Sequence, residues 1–300
     1  MAERSDSTHR THPHAPSLVS GLSAYAGQYD LILCDVWGVL HNGVAAFESA
    51  HDALTRARAG GTSVILVSNA PRPNRFVMEM LDGFGVPRTA YDGIVTSGDV
   101  TREMLAARSG ARAYHLGPER DLSLFDGVGL TLTDLADADL VVVTGLFDDD
   151  VETPDDYADA LKAMKARDLP MICANPDLVV ERGDKLIFCS GAIAKAYEAL
   201  DGKAIWCGKP YRPIYDTAFA HAEVIRGTAI DRARVLGIGD ALRTDIAGAN
   251  DAGFDSLFIS GGIHAQELKS VDGAIPDTES LAELFTGHAH PRGVMPRLAW

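Results

Sequence analysis

Cysteine is scarce, long apolar runs are missing, and positive charge falls well short of negative. Four cysteines occur in 300 residues, Cys34, Cys173, Cys189 and Cys207, and no two form a C-x-x-C pair. A disulfide framework is therefore not expected. All four sit in or beside apolar runs, so they read as reduced, buried thiols acting as small hydrophobes, and a cytoplasmic setting follows. No apolar stretch approaches the ~20 residues that a membrane span needs, and the polar residues 1–15 lack the apolar region of a signal peptide. Lys and Arg number 27 against 42 Asp and Glu, for a formal net charge of −15. That deficit argues against a basic face for nucleic acid and against attraction to an anionic membrane. It leaves an anionic small substrate open, because a pocket can be locally positive inside an acidic protein.

What is present fits an ordinary globular chain. Apolar residues make up 46% and charged residues 23%. The length suggests about two domains of roughly 150 residues. Residues 1–15 read as a frayed, solvated tail; its His9, His12 and His14 could bind metal, but the tail is the plainer account.

Short continuous apolar runs end in polar residues. Leu31-Ile32-Leu33-Cys34 leads into Asp35, and Val64-Ile65-Leu66-Val67 into Ser68-Asn69. Val235-Leu236-Gly237-Ile238 leads into Gly239-Asp240, and Leu257-Phe258-Ile259 into Ser260-Gly261-Gly262. Continuous rather than alternating apolar runs predict strands buried on both faces. Helical patterns lie between them, from Phe47 to Ala59, Arg75 to Phe84 and Thr244 to Ala252. Strand alternating with helix predicts a parallel α/β sheet, whose ligands bind beyond the strand C-termini.

The middle of the chain repeats this style. Tyr114-His115-Leu116, Leu140 to Val143 and Met171-Ile172-Cys173 read as strands. Asp155 to Arg167 reads as a helix, with Thr153 as N-cap and Pro154 in its first position. A second α/β module is therefore expected over residues 112–204, set within a first domain made of residues 16–111 and 205–300. The acidic run Asp148 to Glu152 reads as a solvated loop without evident partners, although it could hold a cation. The segment from His288 onward looks irregular, and Trp300 either tucks onto the core or marks a contact.

The polar residues at the ends of the long strands carry the chemistry. Asp35, Ser68, Asn69 and Asp240 stand there, with Asp245 one helical turn past Asp240 and Lys209 in Gly208-Lys209-Pro210. Carboxylates drawn together repel unless a cation sits among them, and Mg²⁺ suits oxygen ligands. A carboxylate can also attack phosphorus to give an aspartyl-phosphate. Ser68, Asn69 and Lys209 would then hold the phosphoryl oxygens.

Singly these signals are weak, but their order resembles the haloacid dehalogenase (HAD) superfamily of hydrolases. The matching motifs are Asp35-Val36-Trp37-Gly38-Val39-Leu40, Ser68-Asn69, Lys209, and Gly239-Asp240 followed by Asp245. Thr96-Ser97-Gly98, Asn175-Pro176-Asp177, Gly191 and Gly208-Lys209-Pro210 match further. The branch resembled is class IIA, that of the NagD-like and 4-nitrophenylphosphatase-like proteins. The resemblance implies an α/β fold: a Rossmann-like parallel-sheet core with an inserted α/β cap. It implies Asp35 as nucleophile, with Asp35, the backbone carbonyl of Trp37, Asp240 and Asp245 at a Mg²⁺ site. It implies Ser68 and the amide of Asn69 on the phosphoryl oxygens, Lys209 beside them, and the segment of Asn175 and Asp177 near the leaving group. For Asn175, a turn residue ahead of Pro176 is an equal alternative. Arg182 could meet a substrate anion, but an exposed arginine is the plainer account. The partner implied is a small phosphorylated metabolite, and a homodimer through the cap is a further expectation.

One position departs from the family pattern of Asp-x-Asp. Its second Asp protonates the leaving group, and here that position is Trp37. General acid–base catalysis contributes roughly 10²–10⁴-fold. Three accounts stand open: a substrate with a good leaving group, another proton source such as His41 or Asp177, or a slow or inactive protein that binds a phosphorylated ligand. The function expected first is a Mg²⁺-dependent phosphatase of a small phosphate monoester. The alternatives are a catalytically weak, phosphate-binding or regulatory protein, and a dehalogenase proper, whose chemistry uses no Mg²⁺.

Overall fold

The computed structural model describes residues 16–182, 185–286 and 290–300; the expected tail of residues 1–15, with its three histidines, lies outside them. The strands among the described residues are β1 (Ser17–Leu18), β2 (Leu31–Cys34), β3 (Ser63–Ser68), β4 (Gly93–Thr96), β5 (Arg112–Leu116), β6 (Thr131–Leu132) and β7 (Leu140–Val143). They continue as β8 (Met171–Cys173), β9 (Val179–Arg182), β10 (Lys185–Phe188), β11 (Ala204–Trp206), β12 (Val235–Gly239), β13 (Asp255–Ile259) and β14 (Gly293–Met295). The chain divides into two units. One comprises residues 16–67, Phe84–Gly93 and Ala218–Trp300, the other Ser68–Gly83 and Ile94–Thr217.

The first unit is built on parallel strands in the order β1-β14-β13-β12-β2-β3. Every residue of β2, β3, β12 and β13 is buried, as their continuous apolar runs predict. The helix Glu48–Ala59 lays Ala50, Ala53, Leu54 and Ala57 inward at helical spacing. The C-terminal segment is more ordered than its sequence suggests. Gly293–Met295 forms a strand between β13 and β1; its three residues, flanked by prolines, are too few to show a period. Trp300 lines a small cavity with Leu22, Tyr25, Ile32 and Leu236, and the Leu22 N–H donates to the Ala299 carbonyl (2.8 Å). At the start of β13, the Tyr29 hydroxyl donates to the buried Asp255 carboxylate (2.7 Å), and Arg292 reaches the same oxygen (2.9 Å).

The second unit holds a five-stranded parallel sheet, β11-β8-β7-β5-β6. Its core is Leu116, Val141, Val143, Leu161, Met171, Ile193 and Tyr197. Thr153 and Asp156 form a reciprocal capping box with Pro154 at the first position; a 3₁₀ turn opens this segment before the α-helix Ala158–Ala166. β9 and β10 make an antiparallel hairpin of their own, which the sequence pattern did not reveal. The acidic run is better partnered than its spacing suggested. Asp149 pairs with Arg120 and Arg182, and Glu152 accepts from the Tyr157 hydroxyl (2.7 Å).

All four cysteines are free and buried. Burial pushes the Cys207 thiol up to about 11, so it stays protonated and inert at neutral pH. No helix among the described residues is long and apolar enough to cross a membrane.

Candidate active site

In the first unit, Asp35 follows β2 directly, and its N–H donates to the Ile238 carbonyl of β12 (2.8 Å). β2 and β12 are neighbours with Cys34 opposite Ile238. The residues that follow them, Asp35 and Asp240, therefore leave the same edge of the sheet. Asp245 returns to that edge through one π-helical turn, Leu242–Ile246, where the expected pattern was regular helix. The N–H groups of Asp245 and Ile246 both donate to the Ala241 carbonyl (2.9 and 3.3 Å). The widened turn brings the Asp245 carboxylate back onto the Ala241 N–H (3.1 Å). Such turns are frequent at functional sites. The three carboxyl groups each offer an oxygen, all within 4.8 Å of one another, and all three residues are buried.

Glycines make this convergence possible. A Cβ at Gly38 (φ +82°) would lie 2.0 Å from Asp240 Oδ2, one at Gly262 would lie at the same distance, and one at Gly239 would lie 2.1 Å from Asp245 Cγ. The Ile263 N–H donates to Asp240 Oδ2 (2.7 Å). Gly262 was legible only as part of the Gly-Gly after β13; its service to Asp240 was not. Buried carboxylates this close raise each other's energy unless a cation lies among them. The donor set is all oxygen, which fits a hard divalent ion such as Mg²⁺.

Trp37, half-buried, sits two residues beyond Asp35. Its ring meets His41 edge to face (centroids 4.9 Å apart), and His41 packs on Phe84 at 5.1 Å. A Cβ at Gly43 (φ +83°) would come within 2.7 Å of the indole. His41 is fully buried, and its Nδ1 accepts the Gly43 N–H (2.9 Å). Burial pushes the imidazole down to about 4, so at neutral pH it is an uncharged ring within an aromatic stack.

The remaining sequence-predicted residues lie in the second unit. Ser68, the last residue of β3, is buried, and its Oγ accepts the Ala70 N–H (3.2 Å). The Asn69 carboxamide accepts the Lys209 N–H at Oδ1 (2.7 Å) and donates through Nδ2 to the Lys209 carbonyl (3.2 Å) and to the Asp177 carboxylate (2.8 Å). Asn175 Oδ1 accepts the Asp177 N–H (3.1 Å), the turn geometry its sequence position allowed. Close packing holds these segments together. A Cβ at Gly208 would lie 2.4 Å from Asn69 Oδ1, and one at Gly191 2.4 Å from the Asp177 carbonyl. The structure thus gathers Asp35, Asp240 and Asp245 in one unit, and Asn69, Asn175, Asp177 and Lys209 in the other. Arg182 is spent on Asp149 and Asp150.

A family model for haloacid dehalogenase-like hydrolases matches residues 32–131, and one described as HAD-hydrolase-like matches residues 206–284. The crystal structure of a hydrolase of the haloacid dehalogenase-like family from Brucella suis 1330 has a TM-score of 0.84 and 45% identity. It covers 94% of this chain and 100% of its own. The chain belongs to the haloacid dehalogenase-like hydrolases. Within them it falls in the NagD-like class IIA branch. The ribonucleotide monophosphatase NagD of Escherichia coli (strain K12) is 26% identical, over 77% of this chain and 88% of that protein. A glycerol phosphate phosphatase from Mycobacterium tuberculosis, solved in complex with magnesium, is 27% identical with a TM-score of 0.62, covering 85% of this chain and 77% of its own. In this hydrolase the matched segments contain Asp35, Ser68 and Asn69, and then Lys209, Asp240 and Asp245.

Proposed function

We propose that the chain is a Mg²⁺-dependent phosphatase of small phosphate monoesters, of the sugar phosphate or aryl phosphate class. The observation that supports this reading is the convergence of three buried carboxylates from two neighbouring strand ends and a π turn. The named relatives that act on phosphate esters support it as well. Asp35, Asp240, Asp245 and the backbone carbonyl of Trp37 would hold the ion. When bound, Mg²⁺ offsets the carboxylate charge and the charge gathering on the phosphoryl group.

Asp35 is the nucleophile. Its Oδ bonds to phosphorus, the bond to the leaving oxygen breaks, and an aspartyl-phosphate results. Ser68, the Asn69 N–H and Lys209 offset the charge on the phosphoryl oxygens. Asn69 also orients Lys209 through the two bonds to its backbone, and Asn175 and Asp177 attend the leaving group. Asp245 orients Lys209 or a water on the ion. The substrate is a small phosphorylated metabolite, the setting is cytoplasmic, and the chain pairs as a homodimer through the inserted module over residues 112–204.

Hydrolysis of 4-nitrophenyl phosphate with and without Mg²⁺, comparing Asp35→Asn with the parent, tests the reading. Equal rates in the two proteins would sink it. Trp37 favours one second reading, a phosphate-binding or regulatory protein with very slow turnover. Trp37→Asp separates the two: a gain of ~10²-fold or more marks a missing acid/base group, and no gain gives Trp37 a role of its own.

A further inference from the structure

We propose that Trp206 and Tyr211 are positioning residues for Lys209: their stacked rings brace the loop that carries it, and turnover depends on that brace. The inference rests on the reading of Lys209 as a group that meets the phosphoryl oxygens, and adds to it what aims the group.

Lys209 sits in a short loop of the second unit whose two ends meet. Trp206 is the last residue of β11, and Tyr211 follows after Cys207, Gly208, Lys209 and Pro210. The two rings lie nearly parallel, 13° between planes with centroids 5.3 Å apart, a separation that stacked aromatic pairs favour. The Tyr211 N–H donates to the Gly208 carbonyl (2.9 Å), which closes a turn around Lys209 and Pro210. The Cys207 N–H donates to the Cys173 carbonyl (3.1 Å) and seats the start of the loop on β8.

The stack is itself anchored. Trp206 belongs to the buried core of the second unit, with Leu161, Ile193 and Tyr197, and Tyr211 packs against that core. The indole N–H donates to Glu198 Oε1 (2.9 Å), at the end of the helix Ser190–Glu198. Glu198 Oε2 accepts from Lys195 (2.7 Å), whose ammonium stands 5.0 Å from the indole centroid. A hydrogen bond at its edge and a cation over its face hold the indole in one orientation, and Tyr211 stacks on it. Asn69 grips Lys209 at its own N–H and carbonyl; the stack secures the loop on both sides of that grip. A lysine ammonium is a point charge on a flexible stem, so where it rests depends on where its backbone is held. Misplacement of a catalytic group by about 1 Å can cost 10²-fold in rate.

The test measures kcat for 4-nitrophenyl phosphate with Mg²⁺ present, and the urea midpoint, in Tyr211→Ala, Tyr211→Phe and Glu198→Ala, each with and without Lys209→Ala. Tyr211→Ala is expected to lower kcat by roughly 10- to 10²-fold, and Tyr211→Phe, which keeps the ring, to retain most of the rate. Combined with Lys209→Ala, the further loss should shrink to about twofold or less, because the ring acts through the lysine. The fall in urea midpoint should persist in both backgrounds, since the stack is lost in either. A parental kcat in Tyr211→Ala, or a loss of equal size with and without Lys209, overturns the proposal. If Tyr211→Ala does not fold, Glu198→Ala, which releases the indole N–H from outside the loop, carries the same two expectations. Where Lys209→Ala turns over too slowly to follow, affinity for inorganic phosphate, read by calorimetry, replaces kcat. If Lys209→Ala alone matches the parent in rate and in phosphate affinity, the reading of Lys209 itself has failed, an outcome distinct from a brace that proves dispensable.

Discussion

The carboxamide of Asn69 brackets the backbone of Lys209, accepting its N–H at 2.7 Å and donating to its carbonyl at 3.2 Å across 140 residues of sequence. Lys209 itself is buried, and these two bonds hold its backbone in place. Asn69→Ala removes both and leaves two buried backbone groups unmatched. The expected cost is about 1–3 kcal/mol of stability, read as a lower urea midpoint. Activity on 4-nitrophenyl phosphate should fall at least tenfold at a temperature where the variant is folded. A variant with parental stability and rate would show that Lys209 is held by other means.

Gly239 and Gly38 make room for the carboxylates. Alanine at 239 places a methyl against Asp245, and alanine at 38 adds a left-handed backbone strain to a clash with Asp240. Strain of this kind costs on the order of 1–3 kcal/mol. Both variants should lose activity more than tenfold. Far-ultraviolet circular dichroism should remain that of the parent, since both clashes fall on an aspartate side chain rather than on the backbone of the sheet. Parental activity in Gly38→Ala would mean that the carboxylate geometry is not needed.

The carboxylate cluster predicts stabilisation by the ion, measured without turnover. At a concentration a hundred times its dissociation constant, Mg²⁺ should add about 2.7 kcal/mol, seen as a rise in Tm. Asp240→Asn and Asp245→Asn should each shrink that rise. The apo forms of these variants should match or exceed the parent in stability, because like charges have been removed. A parent Tm indifferent to millimolar Mg²⁺ would contradict the assignment.

His41 and His115 are both pushed down to about 4 by burial. The unfolded chain binds these protons near 6.5, so it takes them up first as pH falls. Stability is therefore full above about pH 6.5 and declines toward pH 4. The His41 contribution lost over that window is about 3 kcal/mol at roughly 1.36 kcal/mol per pKa unit. Denaturant midpoints at pH 6.5 and 4.5 should drop for the parent and drop less for His41→Phe. Equal drops would place the pH dependence elsewhere.

How much of this was legible in the sequence depended on length and locality. β2, β3, β12 and β13 announce themselves because each is an apolar run with both faces covered. Asp35 and Asp240 follow from that, since strand ends of a parallel sheet share one edge. β1 and β14 are two and three residues long, too short for any periodicity. The hairpin of β9 and β10 escapes for another reason: its own sheet has two strands, so neither strand needs a run of buried residues. The π turn at Leu242–Ile246 depends on one extra residue in a helical repeat, which a hydrophobic pattern does not register. The hold of Asn69 on Lys209 is a contact between residues far apart in sequence, and no local rule reports it.

The clasp at the edge of the first unit bears on synthesis. Arg292 donates to Gln28, 264 residues upstream, and β1 pairs in parallel with β14. Nearly the whole chain must leave the ribosome before that edge can close, whereas the strands β5 to β11 of the second unit come from one continuous stretch. Contacts of long sequence separation form slowly, and domains fold as units during translation. The sheet of the second unit is therefore expected to be complete while β2 and β3 still wait for β12, so the order of birth of the two units is the reverse of the order in which the chain first enters them.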